Sequence, residues 1–386
     1  MAGLGWSITL AETALALLTL HLLWQLRDPA VRATARWPLW PPVLAFSAIT
    51  VLSALLSGHT LASLEASKGL LLVAALYVMA DAVRDPPAAG RFLFGLTLAA
   101  TVAAIVGLLQ VGVCPGVGGP AASPRWLYHR CDRAHGFFSI YMTLAGVLSL
   151  VLLVTLPRLL VAGTELRRLA GPWLLMLWGL VVTYTRGAWI GFAVGVLAVA
   201  TTVRRSRWLL VAGLLLLVAA GLVAPPSLRH RFLSMTDPQE AGVRERVYMW
   251  KSGLAMWRER PLLGVGPGGV KREYPRYALP EAFKKRTSHV HNAPLQILVE
   301  RGVAGLAAWL WIWVAFFVKG IGLLRRLPSD AVGERSLVIG SLAAVVGFLV
   351  GGLSEYNFGD SEVVMVAWAL MALPGAVEGK KTGPSP

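Results

Sequence analysis

Two histidines one residue apart, followed by an asparagine, open the chemistry of this chain. They are His289 and His291, with Asn292, in the stretch TSHVHNAPLQ. The 386 residues hold only 7 histidines. A neutral imidazole at an outward surface can take a proton from a hydroxyl, because its pKa lies near ambient pH. The pair could also ligate a metal, or stand as inert polar residues at a helix start. Metal ligation is the weakest of the three: the i, i+4 helical spacing is missing and no carboxylate lies near in sequence. Asn292 suits a helix N-cap, with Pro294 in the first turn. A helix starting there aims its positive dipole end where the histidines face.

Arg186, in TYTRGAW, is the next residue of interest. It sits between two apolar segments with almost no loop. An arginine near membrane depth needs a partner or a cavity, or it snorkels to the head groups. A guanidinium stays charged and binds phosphate oxygens bidentately, so an anion contact is the functional reading. The run GVGPGG, Gly264–Gly269, lacks the Gly-Lys-Ser/Thr of a phosphate loop and reads instead as a tight turn. Cys114 and Cys131 share one segment, and both a disulfide and two free thiols are open. Glu355, Asp360 and Glu362 form the one acidic cluster near the late outward turns.

These residues must be positioned by membrane-spanning helices. Hydrophobic residues make up 56% of the chain, charged residues 15%, and mean hydropathy is +0.63. Several apolar segments are long enough to cross a hydrocarbon core of ~30 Å. The expected fold is an all-α polytopic membrane protein with about eleven spans. They fall near 5–25, 38–57, 68–83, 92–113, 136–156, 170–184, 187–203, 208–224, 294–318, 335–353 and 361–376. The first segment lacks a basic n-region and a small-residue cleavage site, so it reads as a retained span. Every second connection is short and basic, with Arg27, Arg32, Arg36, Arg84, Arg91, Arg158, Arg167, Arg168, Arg204, Arg205, Arg207, Lys319, Arg325 and Arg326. Those connections are expected in the cytoplasm and their alternates outside. The organisation is then spans over 1–223, an outward loop over 224–292, and further spans over 293–386.

The net charge of +16 is partly this loop bias. It does not point to nucleic acid in so apolar a chain. The outward loop itself carries 13 Lys and Arg against 6 acidic residues. A long loop escapes the positive-inside bias, and a cationic outer cavity suits a phosphate or pyrophosphate. Contact with anionic membrane lipids is the bland alternative. Within the loop, residues 242–260 carry Val243, Val247, Trp250, Leu254 and Trp257 on one stripe, which predicts an amphipathic helix stopped by Pro261. No internal repeat is evident, which weighs against a transporter of the inverted-repeat kind.

At this point the residues resemble a known family. His291-Asn292, nine residues, then Gly302-Val-Ala-Gly305 is similar to the signature of bacterial O-antigen ligases. TRGAW around Arg186, the stretch Arg246–Gly269, and RAHGFFSIY from Arg133 resemble the wider ligase and polymerase superfamily. The resemblance implies a GT-C-like membrane glycosyltransferase in the bacterial inner membrane, its active site facing the periplasm. It implies a glycan donor on undecaprenyl pyrophosphate and a lipid A–core or other glycolipid acceptor. It places His291 at the catalytic position and Arg186 and Arg246 at the pyrophosphate, with His289, Arg244 and Arg133 as further contacts. No cofactor and no metal is implied. Arginines can then take a metal's place in stabilising the leaving group, and His291 would be the base of an inverting displacement. The same chemistry would serve a polymerase of the Wzy type or a protein-directed transferase. A lipid-linked glycan flippase is the alternative from another class, and it would want cationic residues through the membrane's depth rather than at the outer side.

Overall fold

The computed structural model describes residues 5–112, 133–161, 163–203 and 239–378, with the positions 208, 210–215, 218, 229, 233 and 237. Cys114, Cys131, Arg204, Arg205, Arg207, and most of the expected span 208–224 lie outside the described residues.

Among the described residues every regular element is helical. First come α1 (Gly5–Gln25), α2 (Pro29–Thr34) and α3 (Trp40–Leu55). Then α4 (Thr60–Ala66) runs through a 3-10 stretch (Ser67–Val73) into α5 (Ala74–Ala82), followed by α6 (Pro86–Gly112). The central part holds α7 (Tyr141–Val161), α8 (Gly163–Val182) and α9 (Arg186–Thr202). Next come α10 (Ala241–Glu259) and α11 (Gly269–Tyr277), then α12 (Ala293–Arg326), α13 (Val332–Gly351), α14 (Ser361–Ala372) and α15 (Gly375–Glu378). Among the described residues, six helical stretches are long and apolar enough to cross a membrane: Thr60–Ala82, Pro86–Val111, Tyr141–Val161, Ala293–Arg326, Val332–Gly351 and Ser361–Glu378. Trp40–Leu55, Leu169–Val182 and Arg186–Thr202 are shorter apolar helices. The described residues thus form an all-helical, polytopic membrane protein.

A helix that is apolar all round belongs in the middle of a bundle. That helix is α7, where every residue from Val147 to Pro157 is buried, Leu148, Val151, Leu152, Leu153 and Val154 completely so. It packs against α13, which in turn packs against α9. The α9–α13 contact is built from small residues, since lipid supplies no hydrophobic drive and close backbone approach must do the work. Gly187, Gly191 and Gly195 stand four residues apart on α9. A Cβ on Gly191 would lie 2.4 Å from the carbonyl oxygen of Gly347 on α13. This tight seam fixes the start of α9, and with it Arg186, against the end of α13.

The helices sort the polar residues to two ends. The starts of α7, α9, α12 and α14 and the ends of α8 and α13 meet at one end, which carries the histidines and Arg186. The opposite end carries Arg158, Arg325 and Arg326 in last turns, where a cation favours the helix dipole. There Arg335 donates to the carbonyls of Leu324 and Leu327, both at 3.0 Å, and caps α12.

Two expectations need correction. The span expected from residue 136 starts at Tyr141, because residues 135–136 are tied to α6 instead. Gln110 accepts from the backbone N–H of His135 and Gly136 and donates to the Gly136 carbonyl, at 3.0, 2.9 and 2.9 Å. The helix expected over 242–260 forms as α10, capped by Glu240 and stopped before Pro261. Its buried face, however, is Glu245, Met249, Ser252, Gly253 and Met256, and Val247 is exposed. The shift has a polar cause. Glu245 accepts from the backbone N–H groups of Phe283 and Lys284, both at 2.9 Å, which turns its side of α10 inward. Met249 and Met256 then join Val265, Val270, Tyr274, Val290 and Val299 in a second apolar core beside the main one.

Candidate functional site

His291 is held by its neighbours on every side. Val290 is fully buried in the second core. Its N–H donates to Gln296 Oε1 at 2.9 Å, and its carbonyl accepts from Trp250 Nε1 at 3.0 Å. Asn292 caps α12 as expected, accepting from the Leu295 N–H at 2.8 Å, with proline in the first turn. Its amide also donates to the Leu353 carbonyl at 2.8 Å, and Ala293 N–H donates to the Gly352 carbonyl at 2.7 Å. The start of α12 is therefore stitched to the turn after α13. The residue caught between these anchors, His291, adopts a left-handed φ of 51°. Tyr184 before Arg186 does the same, at 53°. Such backbone costs on the order of 1–3 kcal/mol per non-glycine residue and tends to mark functional sites.

The stitching brings Glu355 to His291. Glu355 Oε2 lies 2.9 Å from His291 Nδ1, and Glu355 Oε1 pairs with Arg246. Nδ1 is the nitrogen that donates to this carboxylate, and in the neutral ring that leaves the lone pair on Nε2. The side chains are sheltered, with 15% of His291 and 12% of Glu355 exposed. Nearby, Arg186 pairs with Glu240 at 2.9 Å. Arg186, Arg246, Lys284, His291 and Glu355, with Tyr141 and Tyr184, line one cavity of about 350 Å³. Its arginines can bind an anion, and its imidazole can act as a base.

The remaining expected residues fall around this cavity. His289 lies edge-on to His291, ring centres 4.3 Å apart, and its Nδ1 contacts Ser288 Oγ at 2.9 Å. Burial, with smaller contributions from His291 and Lys284, lowers its pKa to about 4 against the pull of Glu355, so it is neutral at ambient pH. His289 lines a second cavity, of about 450 Å³, that shares Met142, Thr185 and Glu355 with the first. Arg133 stacks over the ring of Tyr141 at 4.2 Å, one residue removed from the first cavity. Arg244 lies over Phe283 at 5.7 Å and lines neither cavity.

The glycine half of the His-Asn…Gly motif has a structural explanation. Gly302 breaks α12 with a φ of 65°. A Cβ there would lie 2.1 Å from the Leu262 carbonyl oxygen. The break lets the turn after α10 dock on α12. Val303 N–H donates to the Pro261 carbonyl at 2.9 Å, while Val265 and Gly266 N–H donate to the carbonyls of Val299 and Glu300 at 3.0 Å. Gly264–Gly269 is thus a tight turn, and it couples α10, which carries Arg246, to α12, which His291 precedes.

Sequence reasoning missed Glu240 as the partner of Arg186 and assigned no role to Glu355. The signal for Glu355 was its place on an outward turn, but nothing in the sequence joins it to a residue 64 positions earlier. Residues 172–310 match the family model described as O-antigen ligase, and no curated protein matches the chain. The matched segment contains Arg186, Arg246, His289, His291 and the Gly302 break, while Tyr141 and Glu355 lie beyond it. The chain's similarity to the O-antigen ligase family thus covers the segment where most of these site residues gather.

Proposed function

We propose that the chain is an O-antigen ligase, which moves a glycan from undecaprenyl pyrophosphate to lipid A–core oligosaccharide at the periplasmic face of the inner membrane. About eleven spans, over 1–223 and 293–386, would carry the outward loop 224–292 in a GT-C-like arrangement. The observation that carries the reading is the His291–Glu355–Arg246 chain in a cavity that also holds Arg186.

Transfer begins when His291 Nε2 takes the proton of an acceptor hydroxyl. The hydroxyl oxygen attacks the anomeric carbon of the donor from the face opposite the pyrophosphate, so the configuration inverts. The bond from that carbon to the pyrophosphate oxygen breaks, and its electron pair leaves on the lipid pyrophosphate. Arg186 and Arg246 stabilise the charge that develops there, as a metal does in other transferases. Glu355 holds the histidine's tautomer and stabilises the imidazolium that forms. Arg133, Arg244 and His289 would act from the periphery, on substrate or on the ring of His291.

Deleting the gene and examining surface polysaccharide tests the reading. Loss of all polymer from lipid A, with polymer accumulating on the carrier lipid and restored by the intact gene, is the expected result. A single repeat unit still attached to lipid A would make the chain a polymerase instead.

A further inference from the structure

The second cavity differs from the first in the sign of its lining. It contains no lysine or arginine among the described residues; its charged residues are Glu355, Asp360 and Glu362. It also holds buried hydrogen-bond acceptors. Glu362 is 8% exposed; its carboxyl pairs with that of Asp360, and its Oε1 is buried and takes no hydrogen bond from a hydroxyl, amide or backbone N–H of the described residues. Asn357 is held through its nitrogen, which donates to the Phe348 carbonyl at 2.6 Å, and its Oδ1 is likewise buried without a partner. Asp360 is fixed by the Thr143 hydroxyl at 2.5 Å and by capping α14. A buried acceptor left unsatisfied is costly, so such a wall calls for a ligand that brings donors.

We propose that this cavity is the subsite for the accepting sugar of the glycolipid, with Glu362 Oε1 and Asn357 Oδ1 taking hydrogen bonds from its hydroxyl groups. The proposal rests on the transferase reading above and names the place of the second substrate. An uncharged polyhydroxyl unit supplies the O–H donors that the wall lacks. A pyrophosphate supplies none when ionised and would meet three acidic side chains and no cation, so it belongs on the arginine side. At about 450 Å³ the cavity is in the size range of small-ligand sites. Glu355, with Met142 and Thr185, lines both cavities, so the two sites adjoin at the residue that holds His291.

The test uses the full chain in lipid nanodiscs, with lipid-linked glycan and lipid A–core extracted from the deletion strain as the two substrates. Glu362→Gln is expected to raise the KM for the acceptor about tenfold or more, and to leave the KM for the donor unchanged. Ser139→Trp is the second variant, because Ser139 is exposed at the cavity wall and its change spares the core. It should raise the acceptor KM in the same way. Arg186→Lys, by contrast, should raise the donor KM. The subsite is overturned if both cavity variants keep the wild-type acceptor KM, or if they raise the donor KM instead. Stoichiometric Mn2+ or Ca2+ binding that Glu362→Gln abolishes would also overturn it, by making the cavity a cation site. A wild-type chain that transfers no glycan sinks the transferase reading itself, which is seen before any variant is compared.

Discussion

Glu355 joins two residues that the chain keeps far apart: its Oε2 lies 2.9 Å from His291 Nδ1, and its Oε1 pairs with Arg246. One carboxylate thereby orients the candidate base and a candidate anion-binding arginine together. Glu355→Gln keeps the size of the side chain but removes the charge, and its amide can present N–H to Nδ1. The predicted outcome is a fall in transfer rate on the order of 100-fold, with the protein still folded. Rate measurement across pH, alongside a folding control, checks it. A rate within about twofold of wild type would deny Glu355 its role.

Arg186 and Arg246 each hold a carboxylate in this structure, Glu240 and Glu355 respectively. Lysine keeps the charge but not the planar two-pronged geometry. Arg186→Lys and Arg246→Lys are both expected to lower transfer at least about tenfold, about 1.4 kcal/mol of lost transition-state stabilisation. Steady-state kinetics with lipid-linked donor reads this out. Full activity in both variants would show that point charge alone suffices.

His289 should make the fold sensitive to acid. Its pKa is about 4 in the folded chain against 6.5 for the free side chain. The unfolded state therefore binds the proton first, and stability falls as pH drops from about 6.5 towards 4. Thermal unfolding in detergent should show this loss for wild type and a smaller loss for His289→Gln. Equal acid sensitivity in the two proteins would place the effect elsewhere.

Gly302 is the position where a methyl group should do most harm. Its φ of 65° and the 2.1 Å approach of the Leu262 carbonyl leave no room for a Cβ. Gly302→Ala is expected to destabilise by more than the ~1–3 kcal/mol of backbone strain alone, because the docked turn must also shift. Unfolding temperature and retained transfer activity measure it; an unchanged melting temperature would contradict the docking described for α12.

Parts of this were legible in the sequence because the cause is local. Asn292 with Pro294 announced the start of α12, and Pro261 marked the end of α10. Gly264–Gly269 read as a turn and is one. What was not legible depends on partners distant in the chain. The buried face of α10 is set by Glu245 taking two backbone N–H groups from residues 38 and 39 positions later. Hydrophobic periodicity cannot register a carboxylate that turns inward to hold a loop. The pairing of Glu355 with His291 likewise needs the seam between α12 and the turn after α13, which only packing reveals.

The most direct measurement is the rate of glycan transfer by purified His291→Ala, with donor binding followed in the same preparation. A base contributes about 100-fold or more to such a step. The account predicts at least that loss in rate with donor affinity retained, because Arg186 and Arg246 are untouched. Transfer at the wild-type rate would contradict it.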